Sequence, residues 1–460
     1  MLSRRGFLAG SAALAACGGR TVTPPSGAPN VLVVLLDQLR AVSLPAYGDT
    51  NIATPAMDAL LTTGVRFDTA IAANPLCGPA RASLLTGMYP GHVGVPNNDR
   101  AITPGTPTLA TVFRSAGYKA GYVGKWHLSR GKPQYPSDLV GFDDHFQGYN
   151  ERYHYRDSFW FTGRSHVAEF PEPRDLFEPT YQTTQALEVL ERWRDERFLL
   201  MVSYVPPHPP KDWRSDWDAH FPDAFPYGVD AAKLALRGNV PDWAEGEHAA
   251  SADEPGAKPS PGARRFLRNY YGAILAMEIE IQRLVDGLKR LGLDERTVVV
   301  FTSDHGELGG SHGRYLKQKP YEESVRIPLG MRWTGTLPAR TSTMPFSQVD
   351  LMPTLAGLCG VPAPTGLHGR DLSAAVRGGS EPDTEVLSGC HLTKSERTWW
   401  QVRSPRWSYT EWVEGHEGPT LYDMEADPFQ TRNLADSPEH ADDRRQLATT
   451  LAARRTAIGV

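Results

Sequence analysis

The stretch Val31-Leu32-Val33-Val34-Leu35-Leu36-Asp37 is a run of six apolar residues that ends at a carboxylate. Such a run is typical of a strand that is buried on both faces of a parallel sheet. Ligands of these sheets gather beyond the carboxyl ends of the strands. Asp37 is therefore predicted to lie where chemistry takes place.

Further apolar runs and helical patterns follow this first strand. Strands are predicted at 65–73, 120–123, 198–205 and 297–302, and helices at 55–61, 82–86, 108–116, 183–194, 264–291 and 348–358. The alternation continues to about residue 375 and predicts an α/β fold with helices on both faces of a mostly parallel sheet.

The pattern changes in two parts of the chain. Residues 211–261 are rich in Pro, Asp, Trp and Gly without periodicity, which predicts a long surface excursion. Beyond residue 385, antiparallel strands are predicted at 399–402 and 407–412, with a terminal helix near 438–456. We therefore divide the folded chain into an α/β domain at 29–380 and a smaller C-terminal α+β subdomain at 381–460.

The N-terminus carries export signals. Residues 3–8, Ser-Arg-Arg-Gly-Phe-Leu, resemble a twin-arginine signal, and the apolar run that follows is too short to span a bilayer. Residues 14–17, Leu-Ala-Ala-Cys, resemble a lipobox, although a plain secretory signal with an incidental cysteine is the alternative. We expect a signal at 1–17, a flexible tether at 18–28, the twin-arginine machinery as a partner, and a bacterial periplasmic or cell-surface protein that meets the membrane only through a lipid on Cys17.

Composition excludes several classes of function. The 460 residues carry a formal net charge of −5 with no Lys/Arg stripe, so nucleic acid is not an expected partner. The four cysteines, at 17, 77, 359 and 390, are too few for a disulfide framework and have no CxxC spacing for a thiolate metal site. A single Cys359–Cys390 disulfide stays open.

The polar residues that follow the predicted strands form recognisable motifs. They are Asp37-Gln38, Cys77-Gly-Pro-Ala-Arg81 with Leu85-Thr-Gly87, Gly124-Lys-Trp-His127, His208 between four prolines, and Thr302-Ser-Asp-His-Gly306 with His312-Gly313 and Lys317. In type and order these motifs resemble the sulfatase family, and the resemblance extends over about 29–434. It implies an alkaline-phosphatase-like α/β core and a sulfuric ester hydrolase whose cysteine, Cys77, is oxidised to formylglycine by a dedicated installing enzyme.

The resemblance also implies a metal site. Asp37, Gln38, Asp304 and His305, together with residue 77, would hold one divalent cation, and the oxygen donors among them suit Ca2+. Gln38 replaces the commoner Asp, and His305 replaces a frequent Asn, which leaves the metal open. A lone Asp37 would instead be read as a cap or turn residue.

Further roles follow from the same resemblance. Arg81 would hold the formylglycine oxygens, and Lys125 and Lys317 would bind sulfate oxygens, with Lys319 as a competitor for the place of Lys317. His127 would take the proton from the hydroxyl that expels sulfate, and His208 would protonate the leaving alcohol. In isolation each histidine would be read as structural and each lysine as a surface charge, and His312 as a residue that shapes its loop.

The expected substrate is a sulfated small molecule or carbohydrate. Aromatic residues at 153, 155, 159–161, 213 and 217 would either wall the site or simply pack loops on the core. Two other functions stay open. One is hydrolysis of a phosphate or phosphonate monoester by the same machinery, and the other is a binding module without turnover.

Overall fold

The structure is a computed structural model that describes residues 25–131, 135, 136, 138–157, 159–173, 176–213, 217, 229–245, 262–390, 398–413 and 418–459. The predicted signal at 1–17, with Cys17, and most of the tether lie outside the described residues. So does most of the predicted excursion at 211–261.

The strands within these ranges are β1 (Asn30–Asp37), β2 (Val65–Phe67), β3 (Ala70–Ile71), β4 (Lys119–Lys125), β5 (His145–Tyr149), β6 (Phe161–Thr162), β7 (Phe198–Pro207), β8 (Thr297–Ser303), β9 (Leu329–Arg332), β10 (Arg340–Ser342), β11 (Phe346–Ser347), β12 (Val386–Cys390), β13 (Trp399–Arg403), β14 (Trp407–Trp412) and β15 (Thr420–Asp423). The α-helices are α1 (Pro55–Thr62), α2 (Cys77–Thr86), α3 (Leu109–Ser115), α4 (Glu178–Arg192), α5 (Asp242–Glu245), α6 (Ala263–Arg290), α7 (Glu322–Val325), α8 (Leu351–Cys359), α9 (Ser373–Val376) and α10 (Ala441–Ala457).

The main sheet has nine strands in the order β10-β2-β9-β8-β1-β7-β4-β5-β6. The four strands β8, β1, β7 and β4 are neighbours and run parallel. β9 and the edge strand β6 run antiparallel to their neighbours. The mostly parallel α/β sheet is confirmed, and its parallel centre brings the carboxyl ends of four strands to one edge.

β1 lies at the centre of this sheet and is buried along its whole length. Val31, Val33 and Leu35 face a core that contains side chains of α2, α3 and α8. The intervening residues Leu32, Val34 and Leu36 face a second core built with α1, α4 and α6. Side chains of a strand alternate between the two faces of a sheet, so an uninterrupted apolar run is what this central position requires.

Several predicted boundaries were wrong. α2 begins at Cys77 rather than after Arg81, because Pro79 falls in the first turn, where its missing N–H costs no helical hydrogen bond. α4 begins at Glu178 rather than at Thr183, since Pro179 likewise fits the first turn. The single strand predicted at 65–73 is two short strands, β2 and β3.

The C-terminal subdomain is a four-stranded antiparallel sheet in the order β12-β13-β14-β15, with α10 packed on it. This confirms the predicted α+β unit, although β12 was not predicted. Cys359 and Cys390 are buried free thiols, so the disulfide left open by the sequence does not form. No helix among the described residues combines the length and the apolar character needed to cross a membrane.

Candidate active site

Four neighbouring strands deliver the predicted site residues to one edge of the sheet. β1 ends at Asp37, β4 ends at Lys125, β7 leads into His208, and β8 leads into Asp304. These strands are adjacent in the sheet, so residues that are far apart in sequence meet in space.

Cys77 lies at the centre of this group and is only 1% exposed. Its Sγ is 3.2 Å from His305 Nε2, 3.4 Å from Lys317 Nζ and 3.7 Å from Asp37 Oδ1. Burial raises the pKa of the Cys77 thiol to about 11, and the Asp37 carboxylate adds to the effect. The unmodified thiol is therefore neutral at physiological pH and is a weak nucleophile.

Arg81 binds the two central carboxylates. Its Nη2 is 3.3 Å from Asp37 Oδ2 and 3.1 Å from Asp304 Oδ2, and its Nη1 donates to the Lys125 carbonyl at 2.8 Å and to Ser203 Oγ at 2.7 Å. Burial alone would lower the pKa of Arg81, but the two carboxylates raise it above its ordinary value. Arg81 thus stays charged and fixes the Oδ2 atoms of both aspartates.

Four possible metal ligands face one another. Asp37, Cys77, Asp304 and His305 are all buried, and each offers a ligand atom within 4.8 Å of the other three. His305 Nδ1 lies 3.0 Å from the Gly306 carbonyl, which can only accept, so Nε2 carries the lone pair that faces the cluster. Burial lowers the pKa of His305 to about 4, so the imidazole is neutral, as a metal ligand must be.

Gln38 lies beside this cluster and is held by a residue that the sequence reasoning missed. Its Nε2 donates to Glu307 Oε2, and its Oε1 accepts from Lys317 Nζ. Glu307 Oε1 also accepts from the N–H groups of Gly309 and Leu316, at 2.8 and 2.6 Å. Because an acceptor fixes which end of the amide carries nitrogen, Glu307 turns the Gln38 oxygen toward the site.

Two of the three candidate lysines lie in the site, and the third lies outside it. Lys125 is fully buried, and its Nζ donates to Asp37 Oδ2 and lies 4.3 Å from the ring centroid of Tyr153. Lys317 contacts Gln38 and Cys77, as described above. Lys319 instead places its Nζ 5.4 Å from the ring centroid of Trp412 in the C-terminal sheet. The structure therefore brings Lys317, and not Lys319, to Cys77.

The two candidate proton carriers both contact the ring of Tyr153. The Tyr153 ring stacks on His208 with centroids 4.4 Å apart and meets His127 edge-on at 6.4 Å. Both ring nitrogens of His127 are buried without a hydrogen-bond partner among the described residues. His208 Nδ1 donates to the Pro209 carbonyl at 2.6 Å, which leaves Nε2 to exchange a proton.

Both imidazoles are neutral in the free protein. Burial lowers the pKa of His127 well below its usual value, and the charge of Lys125 lowers it further. Burial likewise lowers the pKa of His208, with Lys317 as the next cause.

At Asp37 the nearby charges, and not burial, decide the direction of the pKa shift. Burial raises its pKa, but Lys125 and the other nearby cations outweigh burial and hold that pKa well below the usual value.

The remaining predicted residues have structural positions. His312 stacks on Tyr321 with centroids 3.8 Å apart, and its Nε2 accepts from Asn239 Nδ2 at 3.1 Å, so it shapes its loop. Of the aromatic cluster, Tyr153 faces the site, whereas five members are buried in the core: Tyr155, Trp160, Phe161, Trp213 and Trp217.

Residues 29–361 match the sulfatase family, and residues 310–457 match the family described as N-sulphoglucosamine sulphohydrolase, C-terminal. The chain belongs to the sulfatase family. It is a sulfuric ester hydrolase with the alkaline-phosphatase-like fold that the motifs implied.

Individual sulfatases and related hydrolases are similar to this chain over most of its length. An ulvan-active sulfatase of Formosa agariphila is 29% identical over 451 residues, which cover 94% of this chain and 82% of the relative. A structure solved with its substrate D-glucosamine-2-N,6-O-disulfate has a TM-score of 0.79 at 23% identity and covers 94% of this chain and 98% of that one. A phosphonate monoester hydrolase from Silicibacter pomeroyi has a TM-score of 0.73 at 22% identity, with 93% and 95% covered. At these identities the two structures show the shared fold.

Proposed function

We propose that this sulfatase cleaves a sulfate ester of a carbohydrate, that Cys77 is converted to formylglycine, and that a divalent cation binds beside it. The observation that carries the proposal is the position of Cys77. Its Sγ lies at the meeting point of two carboxylates, a neutral imidazole and the Lys317 ammonium. Anionic and cationic groups at this spacing suit a centre that binds a cation and an anionic ester together.

The conversion of Cys77 gives the site a nucleophile that the thiol does not provide. A buried thiol with a pKa of about 11 has little thiolate at neutral pH. The formylglycine hydrate supplies two hydroxyls on one carbon, one for attack on sulfur and one for the release of sulfate. An enzyme that installs formylglycine is therefore an expected partner.

The donor atoms fit a cation held by Asp37, Gln38, Asp304, His305 and residue 77. Arg81 and Lys125 bind the Oδ2 atoms, and the Oδ1 atoms of Asp37 and Asp304 lie 3.8 and 3.7 Å from His305 Nε2. A bound cation would lower the pKa of the attacking hydroxyl and screen the charge of the sulfate. Ca2+ suits the oxygen donors, whereas the His305 nitrogen also suits a transition metal such as Mn2+.

The lysines and histidines carry out the remaining steps. Lys125 and Lys317 stabilise negative charge on the sulfate oxygens and on the leaving oxygen. Neutral His127 accepts, at its unprotonated ring nitrogen, the proton of the hydroxyl that expels sulfate. The negative charge of a bound sulfate ester counters Lys317 and Lys125, which raises the pKa of His208, so that His208 Nε2 can hold the proton that the leaving alcohol needs.

The carbohydrate substrate is supported by the relatives. The Formosa agariphila relative is named for ulvan, and the glucosamine disulfate complex shares this fold. Export as a bacterial lipoprotein, with a twin-arginine signal at 1–17 and a lipid on Cys17, is part of the same proposal and is supported by the sequence motifs alone.

Kinetics on matched esters test the proposal. We expect kcat/KM to be higher on glucosamine 6-sulfate than on an alkyl sulfate, and higher on 4-nitrophenyl sulfate than on a 4-nitrophenyl phosphonate. Cys77→Ala should abolish turnover. A preference for phosphorus would replace the sulfatase activity by the phosphonate alternative, and intact turnover in Cys77→Ala would refute the nucleophile.

A further inference from the structure

Strand β13 of the C-terminal subdomain contacts the loop at 316–322 through alternate residues. Trp399 Nε1 donates to the Gln318 carbonyl at 3.0 Å. Two residues further along the strand, Gln401 Nε2 donates to the Pro320 carbonyl at 2.7 Å. Alternate residues of a strand share one face, so both donors lie on the face of β13 that is turned to this loop.

An ion pair continues the same register. Arg403 Nε donates to Glu322 Oε1 at 2.8 Å and its Nη2 donates to Glu322 Oε2 at 3.2 Å, with both side chains at most 4% exposed. The Glu322 N–H donates to Gln430 Oε1 at 2.7 Å. A buried two-pronged contact of this kind fixes position as well as charge. Strand residues 399, 401 and 403 thus hold loop residues 318 and 320 and residue 322, the first residue of α7.

This loop carries Lys317 in a backbone conformation that needs support. Leu316 has a φ of 68° and Gln318 has a φ of 75°, so both neighbours of Lys317 adopt the left-handed region without being glycine. Such residues are strained and persist only where surrounding contacts hold them. Gln318 is the residue whose carbonyl is bound by Trp399.

We propose that β13 positions Lys317, with Trp399 and Gln401 as positioning residues that act through the loop backbone. The C-terminal subdomain is then part of the catalytic unit. This inference rests on the role proposed above for Lys317, whose Nζ lies 3.4 Å from Cys77 Sγ. Loss of either donor leaves a loop carbonyl unpaired and lets the Lys317 ammonium move away from the sulfate oxygens.

The test uses the full chain carrying formylglycine and 4-nitrophenyl sulfate as the substrate. Trp399→Phe removes the Nε1 donor and keeps an aromatic ring, and Gln401→Met removes the Nε2 donor at similar volume. Trp400→Phe is the matched control, because Trp400 is equally buried but packs on the opposite face of β13 against Tyr89, with ring centroids 6.3 Å apart. Each variant is measured with Lys317 present and in a Lys317→Ala background.

We expect Trp399→Phe and Gln401→Met each to lower kcat/KM about tenfold when Lys317 is present and to have little effect in the Lys317→Ala background. Trp400→Phe should lower the melting temperature by as much as Trp399→Phe does, but it should leave kcat/KM within about twofold of the wild-type value. Equal losses in both backgrounds, or equal losses in the control, would overturn the inference.

A second measurement separates this inference from the role of Lys317. Hydrogen exchange of residues 314–323 should become faster in Trp399→Phe and stay unchanged in Trp400→Phe. If Lys317→Ala were fully active, the proposed role of Lys317 would fail, whereas unchanged exchange in Trp399→Phe would refute the contact between β13 and the loop as the support for this segment.

Discussion

At the scale of single residues, two cationic side chains bind one oxygen, Oδ2, of each central carboxylate. Arg81 and Lys125 take Oδ2 of Asp37, and Arg81 takes Oδ2 of Asp304. The sequence predicts that Arg81 holds the formylglycine oxygens, and this role stays a prediction. In the structure its guanidinium binds the two aspartates. Asp37 Oδ1 is left facing Cys77 and His305, whereas Asp304 Oδ1 accepts from the backbone N–H groups of Gln38 and His305, each at 2.9 Å.

Glu307 provides a test of the metal site that does not depend on turnover. Glu307→Gln can present an amide nitrogen to Gln38, which allows the Gln38 amide to turn its oxygen away from the site. We expect the affinity for the divalent cation to fall about tenfold to 100-fold, as is usual when a residue that orients a ligand is lost. Competition with a chromogenic chelator measures the affinity, for Ca2+ and Mn2+ separately.

The matched control is Glu280→Gln, since Glu280 is a buried carboxylate on α6 that pairs with Arg283 at 2.5 Å. It should leave the metal affinity unchanged. Equal affinities in Glu307→Gln and the wild-type protein would show that Gln38 is not a ligand held by Glu307.

The role of His208 makes a prediction about leaving groups. His208→Ala should lower kcat/KM about 100-fold on an alkyl sulfate, whose leaving oxygen needs a proton, and less than about tenfold on 4-nitrophenyl sulfate. His312→Ala, which removes an imidazole stacked on Tyr321, should change both substrates by the same factor. Equal losses on both esters in His208→Ala would remove its assignment as the acid.

The site residues predicted from sequence were those in local motifs. Asp37 and Lys125 end strands, Asp304 follows a strand and Cys77 begins a helix at the same edge of the sheet, and a loop brings Lys317 to Cys77. Glu307 could have been found from its position three residues after Asp304. The stacking of Tyr153 on His208 could not, since it depends on how loops 55 residues apart pack in space.

At the scale of elements, the end of β4 shows how tightly the strands are packed behind Lys125. Gly124 has a φ of 113°, and a Cβ added there would lie 2.2 Å from the Ser203 carbonyl oxygen of β7. Neither the backbone conformation nor the space admits a side chain. The position of Lys125 therefore depends on glycine at the residue before it.

Gly124→Ala should lower both the stability of the protein and its catalytic activity. We expect the free energy of unfolding to fall by about 1–3 kcal/mol from overpacking, and kcat/KM to fall because Lys125 is displaced from Asp37. Thermal denaturation and kinetics measure the two effects. Gly91→Ala is the control, since an added Cβ there meets nothing within 4 Å. A Gly124→Ala protein with wild-type activity and stability would contradict this packing.

The elements that sequence predicted best were the long buried ones. α6 was predicted within one residue at each end, because its apolar positions repeat with helical spacing over many turns. Short strands such as β12 and β9 were missed, since their few residues carry no distinctive period and their formation depends on neighbouring strands.

At the scale of the whole molecule, half-buried neutral histidines couple stability to pH. Burial, together with the charge of Arg192, lowers the pKa of His145 to about 4, and burial beside His92 lowers the pKa of His368 to about 4. The unfolded chain binds these protons near pH 6.5, so between about 6.5 and 4 it holds more protons than the folded protein. Stability is then lost as the pH falls through this range.

The melting temperature should accordingly decrease from pH 7 to pH 4.5, and His368→Asn should make that decrease smaller. Asparagine retains an acceptor for the Tyr89 N–H, which His368 Nδ1 accepts at 3.0 Å, but it does not titrate. Differential scanning calorimetry across the range measures both slopes. If the melting temperature of His368→Asn decreased with pH as steeply as that of the wild-type protein, the His368 imidazole would not contribute to the loss of stability at low pH.

The central claim is that Cys77 becomes formylglycine at the buried centre of the site. Mass spectrometry of the peptide that contains residue 77, from active enzyme made in a host that installs formylglycine, tests it most directly. The account predicts the mass of the aldehyde or its hydrate, in proportion to the specific activity of each preparation. An unmodified cysteine in fully active enzyme would contradict the account.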